Sequence, residues 1–374
     1  MDNTTSDNIT SDAMTDTGDM AEIATTALSD LAALVRGWEN AHESRIDKDQ
    51  YIIMRLDGHT FSSWTKGFAK PSDERINLAL VLTTLHLVDT FHARMGYCQS
   101  DEITLILPPA IPHVLEGQDS ARATATTTTN IDRKEIAQPV RLNPNALPSH
   151  HHHAYDGRIE KLCSLAASTA TARFNLCMNA YADNEMADLK PNVRERIRSC
   201  TAVFDCRVFA AATPEDAAKA VLWRHQDCRR NAVMACAQAV FPHKKLHGRG
   251  AGKALKMMKE ELGWDPTETR LDLLAHDAEV LNTMKTTVMM KNYDENRVAG
   301  DSPKAEGQKA LVNKNVSIQF MYGAFVKKEL YLRDAVDQKT KAPNSVMRTR
   351  VTARSFQWAG TNEELGWMAV RKYW

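Results

Sequence analysis

The sequence predicts an α+β fold, an antiparallel sheet flanked by helices, and three observations carry that prediction. Five of the six residues Tyr51 to Leu56 are apolar, which reads as a buried strand. "YCQSDEITLILPP" (97 to 109) reads as two strands around a tight turn at Gln99 to Asp101, too short a link for a parallel crossover. The order strand, long helix, strand-turn-strand, helix, strand, helix then fits an antiparallel sheet with helices packed on it better than a doubly wound parallel sheet.

Each element has a local reason. Residues 1 to 30 hold seven acids and no Lys or Arg, and this Thr/Asp/Ser-rich leader is expected to be unstructured over 1–27. Apolar residues from Leu28 to Trp38 recur at helical spacing. From Asp73 to Arg94 the positions Ile76, Leu80, Leu82, Leu85, Leu87, Val88 and Phe91 predict a long amphipathic helix. Asp73 and Glu74 stand at its start, where the helix dipole favours acids. Residues 108–154 are proline-rich, with a Thr-rich run at 124–129 and four histidines at 150–153, and are expected to be a solvated low-complexity insertion. Small residues over 156–175 predict a helix and "AVFDCRVFAA" (202–211) a strand. Thr213-Pro214-Glu215-Asp216 is a helix start with an N-cap, proline in the first turn and acids beside it. That helix should run to about Phe241, with a polar linker at 296–310 and a last strand near 316–326. The expected division is a catalytic domain over 28–210, a basic helical part over 211–330 and a helical C-terminal extension over 331–374.

Composition limits the function classes. Apolar residues make up 43% and charged residues 25%, ordinary for a water-soluble domain. No apolar run approaches the roughly 18 residues of a membrane helix, and the N-terminus lacks a signal peptide's pattern. Seven cysteines without a C-x-x-C pair predict reduced thiols in a cytoplasmic setting rather than a disulfide framework or zinc ribbon. The chain has 47 basic and 47 acidic residues, so outside the acidic leader it carries a net +7, compatible with a polyanionic partner.

The chemistry gathers where strands end. Asp57 closes the first strand and is followed by Gly58, and Asp101 sits in the hairpin turn. A helix-length crossover in an antiparallel sheet can bring the two side by side. Two carboxylates with the Gly58 carbonyl would make a hard oxygen site suited to Mg²⁺, which leaves room for water and substrate phosphates. A pair of such ions about 3.5–4 Å apart clamps the attacking and leaving oxygens of a phosphoryl transfer.

Five segments occur in an order that resembles the tRNA(His) guanylyltransferase family, the 3′–5′ reverse polymerases. They are "RLDGHTF" with "FAKPSD" and "YCQSDEITLIL", "GRIEKLCSLAASTATARFN", "FDCRVF", "LWRHQDCRRNAV" and "YGAFVKK". The resemblance covers roughly 45 to 330 apart from the insertion, and it implies a polymerase-like palm. It also implies two magnesium ions held by Asp57, the Gly58 carbonyl and Asp101. Backbone amides of His59, Thr60, Phe61 and Ser62, with Ser100, would contact a nucleotide triphosphate, and Lys70 and Asp73 would help bind the activating nucleotide. The implied partners are tRNA, ATP and GTP or another NTP, and the implied assembly is a homo-oligomer, a tetramer. The implied reaction adds nucleotides to the 5′ end of tRNA through a 5′-adenylylated intermediate. Arg229, Arg230, Asn231 and Ala232 stand where the guanylyltransferases proper carry His-Ile-Asn-Asn. That is more like the guanylyltransferase-like branch, which restores missing 5′ nucleotides against a template. Ser62 stands where the eukaryotic enzymes have histidine.

Residues 221–259 hold nine Lys or Arg against the single acid Asp227, and Arg229, Arg230, Lys244, Lys245 and Arg249 are the candidate RNA contacts. "GRGAGK" lacks the spacing and preceding strand of a P-loop, and Cys98 reads as packing. Glu102 reads equally as a surface charge or part of the site. Two alternatives are a palm-type nucleotide cyclase and a tRNA-binding maturation factor that has lost activity. The basic region and the Lys70-Pro71-x-Asp73 match speak against the first, and the intact Asp57, Gly58 and Asp101 against the second.

Overall fold

The computed structural model describes residues 16–110, 152–181, 183–268, 316–336, 343–358, 364, 366, 368, 371, 373 and 374. The chain divides into two units, Met1–Arg45 and Ile46–Trp374. In the first, helix α1 spans Asp16–Ala41, so residues 16–27 are helical rather than unstructured as expected. Met20, Ala21, Ala24 and Ala27 are good helix formers, and they carry the helix upstream of its expected start at Leu28. Residues 1–15 lie outside the described residues.

The second unit is organised by a six-stranded sheet. Its strands are β1 (Tyr51–Gly58), β2 (Met95–Gln99), β3 (Glu102–Leu107), β4 (Phe204–Ala211), β5 (Ala324–Val336) and β6 (Pro343–Arg354), in the order β4-β1-β3-β2-β5-β6. Every paired neighbour is antiparallel. Helix α2 (Phe61–Trp64) follows β1, and α3 (Glu74–Thr90) crosses to β2. Helix α4 (Ile159–Asn179) and the short α5 (Pro191–Arg198) precede β4. The first four strands with α3 and α4 form a β-α-β-β-α-β unit of ferredoxin-like order, as a palm requires.

Period-two alternation sorts side chains onto the two sheet faces. Ile52, Met54, Leu56, Ile103 and Leu105 pack with Leu85, Val88, Ala166, Ala170 and Phe174 of α3 and α4. Tyr51, Ile53, Met95, Tyr97 and Ile106 face the other way, onto Ala217, Ala218 and Val221. Those three belong to α6 (Pro214–Val240), which starts at an N-cap where the Thr213 hydroxyl accepts the Asp216 N–H at 3.1 Å. Helices α7 (His243–Leu246) and α8 (Ala251–Leu262) follow, and Met257, Met258, Trp264 and Met321 build a smaller core against Val233 and Cys236.

Several expectations need correction. The insertion ends sooner than residue 154, and residues 111–151 lie outside the described residues. His153 is buried rather than solvated, with Nε2 3.0 Å from the Asp47 carbonyl. The chain re-enters the fold at this point, where Ile46 N–H donates to the Gly157 carbonyl at 3.0 Å. Residues 316–326 hold a short helix α9 (Ile318–Tyr322), capped by Ser317, and only then a strand. Among the described residues the extension from 331 is not mainly helical: it completes β5 and contributes β6, with helical positions at 364, 366 and 368. Charged residues alternating in "AFVKKELYLRDAV" hide a strand stabilised by β6 on its outer side. The boundaries at 210 and 330 do not divide the unit, because β5 pairs with β2 and α6 covers the sheet. The linker expected at 296–310 lies outside the described residues. None of the seven cysteines forms a disulfide.

Gly323 joins α9 to β5 with φ 71° and ψ −174°, a backbone region essentially restricted to glycine. A Cβ there would stand 2.7 Å from the Cys98 carbonyl and would also strike the Tyr97 ring. Gly323→Ala should cost about 3 kcal/mol, combining backbone strain and overpacking. Urea denaturation would measure it, and a loss below about 1 kcal/mol would show that the junction relaxes.

Candidate active site

The sheet register places the carboxylates. Asp57 stands opposite Glu102 on β3 and opposite Asp205 on β4. Directly opposed Cβ atoms in such pairs lie about 4.5–5.5 Å apart. Asp101 lies one residue before Glu102, and its carbonyl accepts the Gly58 N–H at 3.0 Å, stitching the turn to the end of β1. The first strand and the hairpin turn therefore meet as expected. Ser100 adopts φ 52°, which turns the chain between β2 and β3. Burial foremost, opposed by a hydrogen bond from the Ser100 side chain and aided by the charges of Asp57 and Glu102, raises the Asp101 carboxyl to about 6.

The donor set fits a hard divalent cation. Among the described residues no three His, Cys, Asp or Glu side chains gather closely enough to hold an ion. Asp57 and Asp101 would supply two carboxylates and the Gly58 carbonyl a third oxygen, leaving the other positions to water and phosphate, as magnesium accepts. Gly58 is itself tightly fitted, since a Cβ would lie 2.5 Å from Phe61 Cδ2.

The loop after β1 is held by packing and by one arginine. Phe61 is core rather than a ligand side chain: its ring stacks on Trp64 at 5.1 Å and meets Phe174 and Phe204. The His59 N–H is taken, donating to the Val203 carbonyl at 2.8 Å. The N–H groups of Thr60, Phe61 and Ser62 have no acceptor among the described residues, so three of the four amides expected to meet phosphate are available. Thr60 has φ 49°, which turns the chain into α2. Arg196 on α5 donates to the carbonyls of Ser63, Trp64 and Lys66 at 2.8, 2.5 and 2.8 Å, fixing the loop's far end.

Lys70 is exposed. Asp73 is buried and occupied within the protein, where it caps α3. Its carboxylate accepts Arg75 Nε at 2.9 Å, Arg75 Nη2 at 2.7 Å and the Ala69 N–H at 3.2 Å. It shapes the loop that carries Lys70, and a direct nucleotide contact would have to compete with Arg75.

Glu102 is neither a free surface charge nor a spare ligand. It accepts Gln99 Nε2 at 2.7 Å and Arg224 Nε at 2.5 Å. Arg224 also meets Asp227 at 3.0 Å, and Asp227 pairs with Arg230. This ladder ties the turn beside Asp101 to α6. Sequence reasoning missed Arg224 and Arg196, and the i, i+3 spacing of Arg224 and Asp227 was the one local signal for the former.

The proposed RNA contacts are spread over α6, α7 and the loop before α8. Arg230 is paired with Asp227, and Lys245 with Glu261. Arg249 lies against Met257, its Nη1 3.1 Å from the sulfur. Arg229, Lys244 and Arg249 are exposed, and Ala232 is buried.

Residues 32–212 match the model of the Thg1 family, tRNA(His) guanylyltransferase. An uncharacterized protein, R259 of Acanthamoeba polyphaga mimivirus, is 29% identical over 244 residues, covering 64% of this chain and 73% of that protein. A bacterial tRNA(His) guanylyltransferase-like protein in complex with ATP is 24% identical with a TM-score of 0.47, over 64% of this chain and 82% of that one. The tRNA(His) guanylyltransferase of Saccharomyces cerevisiae is 19% identical with a TM-score of 0.40, over 62% and 86%.

Proposed function

We propose that the chain, whose residues 32–212 match the model of the tRNA(His) guanylyltransferase family, is a magnesium-dependent nucleotidyltransferase that adds nucleotides to the 5′ end of tRNA in the 3′–5′ direction. The observation that carries this reading is the meeting of Asp57 with the Asp101 turn, stitched by the Gly58 to Asp101 hydrogen bond.

The reaction has two stages. A 5′-monophosphate end attacks the α-phosphorus of ATP and releases pyrophosphate, leaving a 5′-adenylylated RNA. The 3′-hydroxyl of an incoming NTP then attacks the 5′ phosphate of that RNA and releases AMP. Magnesium, when bound, supplies Lewis-acid activation of the hydroxyl and neutralises charge on the leaving oxygen. Asp57 and Asp101 hold and orient the acceptors of that chemistry. The N–H groups of Thr60, Phe61 and Ser62 face the triphosphate, as fixed dipoles that need no reorganisation. Arg196 keeps their loop in place, and Lys70 adds a flexible positive charge.

Selection of the nucleotide follows from α6. Arg229, Arg230 and Asn231 are exposed and Ala232 is buried, so this segment offers phosphate contacts rather than a base-reading pocket. The chain then selects by pairing with the opposite strand, with a correct pair favoured by about 1–3 kcal/mol, by analogy with base readout by proteins. The assay supplies labelled ATP and all four NTPs to tRNAs lacking their first nucleotide and differing in the opposing base. Adenylylated RNA followed by addition of the complementary base is the expected result. Addition of G regardless of the opposing base, and only to tRNA(His), would identify an untemplated guanylyltransferase instead. Replacing Arg229 and Arg230 together by Ala should weaken tRNA binding and flatten its salt dependence without changing base choice.

A further inference from the structure

Trp223 lies on α6 next to the buried Arg224, yet 54% of its surface is open. Two guanidinium groups lie over its ring, Arg224 at 4.5 Å and Arg55 at 5.4 Å from the centroid. Arg55 stands two residues before Asp57 on β1, hence on the same sheet face and about 7 Å back along the strand. Its partner across β4 is Arg207, which is exposed. Strand β4 is the edge of the sheet, and Asp57, Arg55 and Arg207 lie on one face there, with Arg207 exposed. Trp223 leans over that row from the helix. Phe209, 41% exposed, continues the same face.

An open indole ring beside a row of arginines, one step from the reacting centre, suits a nucleotide. Bases stack on aromatic rings regardless of identity, and guanidinium groups take phosphate bidentately. We propose that Trp223, Arg55 and Arg207 form a nucleotide seat in which the indole stacks on a base and the arginines take its phosphate. This rests on the nucleotidyl-transfer reading. The occupant is either the incoming NTP or the first nucleotide of the RNA.

The test follows tryptophan fluorescence of the full chain in magnesium buffer during titration with GTP, ATP or 5′-phosphorylated tRNA. Quenching is expected, and Trp223→Phe should abolish it while binding the same ligand within about threefold of wild type. Trp223→Ala should bind about tenfold more weakly, the lower part of the range for a lost base stack. Arg207→Ala, at an exposed position, should weaken binding of GTP but not of guanosine. Quenching by GTP or ATP alone assigns the seat to the triphosphate, and quenching by tRNA alone assigns it to the RNA end. If quenching persists in Trp223→Phe and Trp223→Ala binds and adenylylates as wild type does, the seat is overturned while the parent reading stands. A wild-type chain that binds neither nucleotide nor tRNA overturns both.

Discussion

Asp57→Ala and Asp101→Ala should each reduce nucleotide addition roughly a thousandfold or more, because each removes one of two carboxylates proposed to hold magnesium. Several kcal/mol of transition-state charge stabilisation depend on that ion, and 1.4 kcal/mol corresponds to a tenfold change in rate. Single-turnover addition to a 5′-phosphorylated tRNA measures the loss, and near-normal activity in either variant would remove that carboxylate from the mechanism. The fold should survive both changes. Burial and two neighbouring acids raise the Asp101 carboxyl from its ordinary 3.8 to about 6 in the folded chain. A carboxyl with a raised folded value stabilises fully below the unfolded value, and that contribution is lost as pH rises through about 6. The metal-free protein should therefore lose on the order of 2–3 kcal/mol between pH 4 and pH 7 through this group. Asp101→Asn should flatten that part of the stability profile.

Arg224→Met should destabilise the protein by about 3 kcal/mol. Arg224 is 7% exposed and sits between the carboxylates of Glu102 and Asp227. Removing the cation leaves Glu102 desolvated with only the Gln99 amide donating to it, and breaking such a partly buried pair on one side costs several kcal/mol. Asp227 retains Arg230, which moderates its share. The double variant Arg224→Met with Glu102→Gln should recover most of the loss, because both charges then disappear. Urea denaturation of the two variants decides it: equal losses would mean that Arg224 acts through packing on Trp223 rather than through its charge.

Much of the catalytic half was legible because its signals are local. The apolar run at Tyr51–Leu56, the Thr213 cap and the hairpin around Asp101 depend on neighbours in sequence, and each forms where expected. The role of Asp73 was only half legible: its place at the start of α3 is a local signal, but its engagement by Arg75 depends on side-chain geometry. Arg224 and Arg196 were hidden for the opposite reason, since their partners lie far along the chain. Strand β5 was misread because its charged alternation is typical of a solvated helix face. What makes it a strand is the edge of β2 on one side and β6 on the other.

That pairing has a consequence for synthesis. Strands β1 to β4 emerge from the ribosome together with both helices of one sheet face, but Gly96, Tyr97 and Cys98 of β2 wait for Ala324, Phe325 and Val326. Until then β2 is a bare, apolar edge able to template pairing with another chain, and closing so distant a contact is slow. The nascent chain therefore passes through an interval in which its catalytic strands are made and its sheet is unfinished. A truncated chain ending before Ala324 should populate that state permanently, and aggregate from it.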